Sequence, residues 1–470
     1  MSTSSVIEKS KIDASKIISE GQIQALLKTQ ADSQEIDEIL QKAEEKKGLN
    51  LKDCAKLLSI QTPELLEKLF QSAKKIKQSI YGSRLVLFAP LYLSNFCIND
   101  CAYCAFHTRN PAKRKKLTVE EIQDQVKTLE AMGHKRLLLE CGEHPIKNPI
   151  DYVIKAIETI YSTKQGQGEI RRVNVNIAAT TTEDYRKLKA VGIGTYQLFQ
   201  ETYHKKTYQK LHQKGPKADF NRQITAMFRA FEAGLDDLGI GVLFGLYDYR
   251  FEVLALIQYA KFMDQVLGVG PHTISVPRLQ PAHTVDLDSK YKVSDLDFLK
   301  IIAILRLAVP YTGMIISTRE TPQIRRKAFD IGISQASAAS KTQPGGYKKT
   351  QNAEDKNQFH LNDLRNLDEV VQDICQADYL PSFCTACYRS KRTGDAFMKL
   401  AKSGEIHNLC HPNAILTFKE YLLDYASLET KKIGEKAILK QIQFIKNRTT
   451  QEKLKKRLEE LENGKRDLYF

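Results

Sequence analysis

The chain has 470 residues, 42% of them hydrophobic, and 71 Lys and Arg against 56 Asp and Glu give a formal net charge of +15. That length suits one barrel-sized domain with extensions, or two to three units, and the apolar content is enough for a sizeable core. No apolar run approaches bilayer length, and the lysines are spread through helical segments instead of forming one stripe, so composition speaks against both a membrane span and a nucleic-acid footprint.

The first 21 residues are rich in Ser and Lys but lack the apolar stretch of a secretory signal. Glu8, Asp13 and Glu20 argue against an organellar transit peptide, so the cytoplasm is expected, with an anaerobic organelle as the alternative. Residues 1–80 read as a helical layer. Ile36, Ile39, Leu40 and Ala43 recur at helical spacing, and Thr62-Pro63 is a helix start with Pro at the first helical position.

From about residue 83 short β-rich runs alternate with amphipathic stretches. Eight strands are predicted: Arg84–Ala89, Arg136–Cys141, Arg172–Ala178, Thr195–Gln200, Leu238–Phe244, Thr273–Val276, Met314–Ser317 and Gly332–Ala336. Thr118 to Glu121 is a capping box, and another helix begins at Thr182. Eight strand–helix units imply a (β/α)8 barrel of the TIM type, hence an α/β fold. Lys341 to Asn357 is predicted to be a mobile connection in which Gly345 and Gly346 let backbone approach a ligand or serve a plain turn. Residues 363–380 read as a helix and the last fifty as amphipathic helices. The expected units are 1–80, 81–340 and 341–470.

Barrel enzymes place their chemistry at the C-terminal ends of the strands. Directly after the first predicted strand come Cys97, Cys101 and Cys104, spaced C-x3-C-x2-C. Three thiolates this close can converge on one soft-metal centre, either zinc with a distant fourth ligand or an iron–sulfur cluster with one iron left free. A second triplet, Cys384, Cys387 and Cys410, is spaced C-x2-C-x22-C. On its own it fits zinc with His407 or His411 as fourth ligand equally well. The other cysteines, Cys54, Cys141 and Cys375, make a poor disulfide framework and point to a reducing compartment.

The first triplet, with Tyr103 before its last cysteine, resembles the cluster loop of the radical S-adenosylmethionine (SAM) superfamily. Both triplets together resemble the HydG family of [FeFe]-hydrogenase maturases, over nearly the whole chain from about residue 35. The stretches carrying the likeness include Phe88 to Tyr92, Arg172 to Thr181, Gly270 to Arg278 and Gly464 to Phe470.

The resemblance implies a mainly helical C-terminal cluster domain behind the barrel. It also implies two clusters: a SAM-binding [4Fe–4S] on Cys97, Cys101 and Cys104, and an auxiliary [4Fe–4S] on Cys384, Cys387 and Cys410. The auxiliary cluster carries a labile iron whose histidine ligand matches His272; on its own His272 reads as a strand-edge histidine. The implied activity is a carbon–carbon lyase in which a 5′-deoxyadenosyl radical attacks L-tyrosine. The products are p-cresol and dehydroglycine, the latter giving carbon monoxide and cyanide. Tyr103 would contact adenine and Glu143 the methionine ammonium, although Cys141 replaces the usual glycine before Gly142. Asn174, Asn176 and Glu201 are candidates for ribose or amino-acid contacts. Arg319 or Arg325 would pair the tyrosine carboxylate, with Ser317 and Ser337 adding hydroxyls. A low-potential electron donor of flavodoxin or ferredoxin type and other hydrogenase maturases are the implied partners. The rivals are a 2-iminoacetate synthase of thiazole biosynthesis, which lacks the second triplet, and a zinc-knuckle nucleic-acid-binding protein.

Overall fold

In the computed structural model, residues 12–348 and 357–470 are described. Part of the Ser/Lys-rich start and the centre of the Lys341–Asn357 connection therefore lie outside the described residues. Strands β1 (Arg84–Ser94), β2 (Arg136–Cys141), β3 (Lys164–Gln165), β4 (Gly168–Glu169), β5 (Arg172–Asn176), β6 (Tyr196–Glu201), β7 (Leu238–Val242), β8 (Thr273–Ser275), β9 (Gly313–Ile316), β10 (Gln335–Ser337) and β11 (Leu380–Ser382) alternate with helices.

All eight predicted strands are present, as β1, β2 and β5 to β10. They pair in parallel in that order, and the sheet closes where β10 meets β1 at Val86–Gln335 and Phe88–Ser337. β3 and β4 form a separate two-residue hairpin. β1 is eleven residues long and serves two neighbours on one side. Its upper half, Ala89 to Ser94, pairs with β2, and its lower end, Arg84 to Val86, pairs with β11. β11 is an element that the helix reading of 363–380 missed; the helix there spans Leu367–Gln376.

The N-terminal layer consists of helices 20–26, 33–43, 51–58 and 63–81, and the last of these packs on helix 295–308 of the barrel wall. Ile36, Ile39, Leu40 and Ala43 are all buried, as their spacing predicts. The Thr118 capping box opens helix 119–131 with both reciprocal bonds formed. After β11 come helices 386–389, 394–403, 406–424, 428–442 and 448–462. Among the described residues no helix is long and apolar enough to cross a membrane.

The described part of the connection after the barrel is held down. Tyr347 is buried; its hydroxyl donates to Pro90 O (2.7 Å) and its backbone N–H to Gln125 Oε1 (2.8 Å). Gly345 has φ +82° and its nearest neighbour is the Lys115 side chain, so it serves a turn.

Alternate residues of the strands face the barrel interior. On β1, Arg84 and Val86 line a lower cavity of about 90 Å³, whereas Phe88, Pro90 and Tyr92 line an upper one of about 200 Å³. The same progression runs up β2, from Arg136 below to Leu138 and Glu140 above.

Candidate active site at the two ends of the barrel

The upper cavity lies at the C-terminal ends of the strands, where barrel chemistry is expected. Cys97, Cys101 and Cys104 line it together. Their loop is tied on every side. Ile98 N donates to Glu143 O (2.8 Å), Asp100 N to Lys214 O (3.1 Å) and Ala102 N to Leu211 O (2.9 Å). The Arg114 guanidinium joins both ends of the loop, donating to Asn95 O (2.7 Å), Phe106 O (2.8 Å) and His107 O (2.6 Å).

The three thiols are unpaired, and burial pushes all of them up, Cys104 to about 11. An ionised sulfur there needs a cation beside it. Donors already point at two sulfurs: Phe106 N (3.4 Å) and Gln358 Nε2 (3.6 Å) at Cys104 Sγ, and Asn99 Nδ2 (3.7 Å) at Cys97 Sγ. Among the described residues no three ligand-type side chains converge as they would on one mononuclear ion. Three soft, unpaired sulfurs around one cavity are a donor set suited to an iron–sulfur cluster.

Most of the predicted site residues are brought here. Tyr103, Glu143, Asn176, Glu201, Ser317, Arg319 and Ser337 all line the upper cavity. Glu143 accepts from Asn99 Nδ2 (2.6 Å) and from Arg222 Nη2 (3.1 Å). Glu201, held at φ +69°, pairs with Lys217 Nζ at 2.7 Å. Tyr103 OH meets His212 Nε2 at 2.9 Å, while His212 Nδ1 lies 2.8 Å from Tyr208 O. That carbonyl requires the proton on Nδ1, so the tyrosine hydroxyl is the donor to Nε2. The Arg319 guanidinium stacks 3.2 Å from the Phe359 ring centroid.

Two predicted residues do not reach the cavity. Asn174 has the interior parity of Asn176 but sits one layer deeper, where its Oδ1 accepts from Thr195 N (3.0 Å). Arg325 lies on helix 322–331, fully buried, paired with Asp363 at 3.0 Å and donating to Ser337 O (2.7 Å). Its charge is already matched there, which leaves Arg319 as the cavity's guanidinium.

Sequence reasoning missed Glu140, Asn99 and Lys217, which also line the cavity. Glu140 carried a signal, as the one carboxylate ending the apolar run Leu137-Leu138-Leu139. Burial raises it to about 8, and Asn176 donates to it (3.1 Å).

The lower cavity gathers Cys384, Cys387, Cys410 and His272, with Arg84, Arg136, Asp237 and Tyr388 around them. Cys384 and Cys387 follow β11, and Cys410 comes from helix 406–424. The Cys387 and Cys410 sulfurs lie 4.0 Å apart. Cys387, with Arg84 beyond it, makes Cys410 the more readily ionised of the two. Arg136 Nη2 donates to Cys384 O (2.9 Å), fixing the turn to the barrel wall. His272 Nδ1 and both Asp237 oxygens are buried without a hydrogen-bond partner, and His272 Nε2 is 3.9 Å from Asp237. Unmatched polar atoms beside three thiols fit a site that takes a charged or metallic group. The zinc alternative lacks its fourth ligand here: neither His407 nor His411 is among the residues that line this cavity.

Residues 91–260 match the model of the radical SAM superfamily, and residues 275–380 that of the biotin and thiamin synthesis associated domain. A crystal structure of HydG, a maturase of the [FeFe]-hydrogenase, superposes with a TM-score of 0.94 at 54% identity, covering 97% of this chain and all of that one. The maturase HydG from Carboxydothermus hydrogenoformans gives 0.80 at 42%, covering 90% of this chain and 94% of that chain. A 2-iminoacetate synthase of Salmonella typhimurium is 32% identical over 327 residues, 69% of this chain and 84% of the relative. With both cysteine triplets on one barrel and near-complete overlap with these maturases, the chain belongs to the radical SAM superfamily and, within it, to the HydG family.

Proposed function

We propose that this chain is a tyrosine lyase that cleaves L-tyrosine to p-cresol and dehydroglycine and converts the latter to carbon monoxide and cyanide for [FeFe]-hydrogenase maturation. The observation that carries the reading is the pair of cysteine triplets, each lining its own cavity at opposite ends of one barrel interior. When bound, the clusters supply an electron that cleaves SAM into a radical and methionine at the upper end, and an iron that holds small products at the lower end.

The chain's own residues supply placement. Cys97, Cys101 and Cys104 would hold the upper cluster, and Cys384, Cys387 and Cys410 the lower, with His272 facing its labile iron. Tyr103, its ring locked by His212, offers a fixed apolar face for adenine. Glu143 and Asn99 present acceptors for an ammonium group, while Asn176 and the Glu201–Lys217 pair offer polar contacts for ribose or amino acid. Arg319 is the group for the tyrosine carboxylate, since a guanidinium fork matches two carboxylate oxygens, with Ser317 and Ser337 beside it. Gln197 Oε1, on the wall of the upper cavity, and Thr273 Oγ1 and Arg172 Nε on neighbouring strands are buried without hydrogen-bond partners. They support an enclosed, polar route between the two cavities that keeps reactive products from bulk water. The division into an N-terminal layer to about 80, a barrel to about 340 and a C-terminal unit follows the same logic, one unit per task.

The likeness to the 2-iminoacetate synthase supports a second reading, in which dehydroglycine leaves intact. One assay separates the two. Reduced, anaerobic protein is incubated with SAM and tyrosine, and p-cresol, carbon monoxide and cyanide are measured. All three are expected. p-Cresol alone would favour the second reading, and no p-cresol would overturn both.

A further inference from the structure

The strongest concentration of positive charge sits against the upper cysteine loop. Residues 109–116 read Arg-Asn-Pro-Ala-Lys-Arg-Lys-Lys, five cations with no carboxylate. This segment lies along the loop: Asn95 N donates to Lys115 O (3.1 Å), Lys115 N to Asn95 Oδ1 (2.6 Å) and Asn95 Nδ2 to Lys113 O (3.2 Å). The next residue, Phe96, meets a second loop. Its ring lies 6.2 Å from that of His144 and 5.8 Å from Lys147 Nζ, and its carbonyl accepts from Asn148 Nδ2 (2.9 Å). Between His144 and Lys147, Ile146 is 80% exposed, the joint highest value among the large exposed apolar side chains.

The cations divide by task. Arg114 is spent on loop carbonyls, Arg109 pairs with buried Asp100 at 2.8 Å, Lys115 pairs with Glu121 at 2.8 Å, and Lys116 lies 3.9 Å over the Tyr152 ring. Lys113 and Lys147 are exposed and have no carboxylate partner among the described residues. An exposed apolar side chain with unmatched cations about it, on a loop that packs against Phe96, the residue next to Cys97, has the anatomy of a transient protein interface. A basic rim selects an acidic partner and speeds its arrival.

We propose that residues 109–116 and 144–147 form the docking surface for a small acidic one-electron carrier protein, with Ile146 as its apolar contact and Lys113 and Lys147 as steering charges. The proposal rests on the reading that Cys97, Cys101 and Cys104 hold a cluster that must be reduced. One electron leaves the reduced carrier and enters that cluster, and no bond is made or broken in the step.

The test uses the cluster-loaded chain and reduced flavodoxin as probe. A Lys113→Glu/Lys147→Glu double variant should slow reduction by flavodoxin about ten-fold or more at low ionic strength, with the difference fading at high salt. Its p-cresol formation with dithionite should be unchanged. Carbodiimide coupling, which needs no turnover, should join Lys113 and Lys147 to flavodoxin carboxylates, and Ile146→Ala should weaken binding measured by calorimetry. A Lys453→Glu/Lys455→Glu variant, of equal charge change on the helix 448–462, should behave as wild type. Equal slowing in that control, coupling confined to other lysines, or an unchanged flavodoxin rate would overturn the proposal. So would loss of dithionite-driven activity in the double variant. A wild-type chain inactive with dithionite would instead overturn the enzymatic reading, and the docking surface with it.

Discussion

The two ends of the barrel each gather three thiols, but in different ways. At the upper end all three come from one loop of eight residues, and neighbouring loops tie that loop down through its backbone. At the lower end two cysteines follow β11 and the third comes from a helix twenty-three positions on, so the site exists only once helix 406–424 has docked against the sheet. The contacts between that helix and β11 are correspondingly extensive, and Phe383 N donates to Thr417 Oγ1 (3.2 Å). A local site depends on its loop; an assembled site depends on the fold. The upper triplet should therefore tolerate damage elsewhere, whereas the lower one reports on the integrity of the C-terminal unit.

The sharpest test of that contrast is a pair of variants. Cys101→Ala should abolish p-cresol formation and remove about one cluster's worth of iron. Cys384→Ala should remove a similar amount of iron, leave p-cresol formation largely intact and abolish carbon monoxide. Iron content unchanged in Cys384→Ala would end the two-cluster reading. Next in size, His272→Ala should keep p-cresol formation while losing carbon monoxide delivery. Loss of both together would show that the two ends do not act separately.

Arg319→Ala should lower kcat/KM for tyrosine roughly ten- to a hundred-fold, the value of a charge-assisted hydrogen bond of about 1.5–3 kcal/mol. The loss should appear mainly in KM, with SAM affinity unchanged. The smallest effect concerns the support behind the upper end. Glu252 is fully buried, accepts from Tyr203 N (2.9 Å) and from the Thr202 hydroxyl, and is raised by burial to about 8. A carboxyl whose pKa rises on folding takes up a proton in the folded state. Its contribution is whole below the unfolded value of about 4.3 and is lost as pH rises through about 8. Melting temperature should therefore fall between pH 5 and 8 more steeply in wild type than in Glu252→Gln.

The eight barrel strands and both triplets were legible because each is a local pattern: a β-rich run, a capping box, a fixed cysteine spacing. What escaped the sequence was depth and direction. Asn174 and Asn176 share a face, but the Asn174 oxygen is taken by Thr195 N and only Asn176 lines the cavity. Arg325 follows the predicted strand Met314–Ser317 as Arg319 does, yet Pro322 starts a helix that carries it into the wall beside Asp363. β11 was hidden by Pro381, a residue that usually argues against a strand. Here it is tolerated because Leu380–Ser382 pairs only with β1. Lys217 and Asn99 carry no signature of their own, and the chain crossing over the top of the barrel brings them to the site.

The short strand Leu380–Ser382 has a consequence for how this protein can be handled. It makes the C-terminal unit a stave of the barrel and not a cap set upon it, hydrogen-bonded to the foot of the first strand. A chain cut ahead of residue 380 would leave that foot as a bare parallel edge, an invitation to aggregate. The upper chemistry thus cannot be isolated as a clean fragment, and full-length point variants are the proper tools for taking the two ends apart.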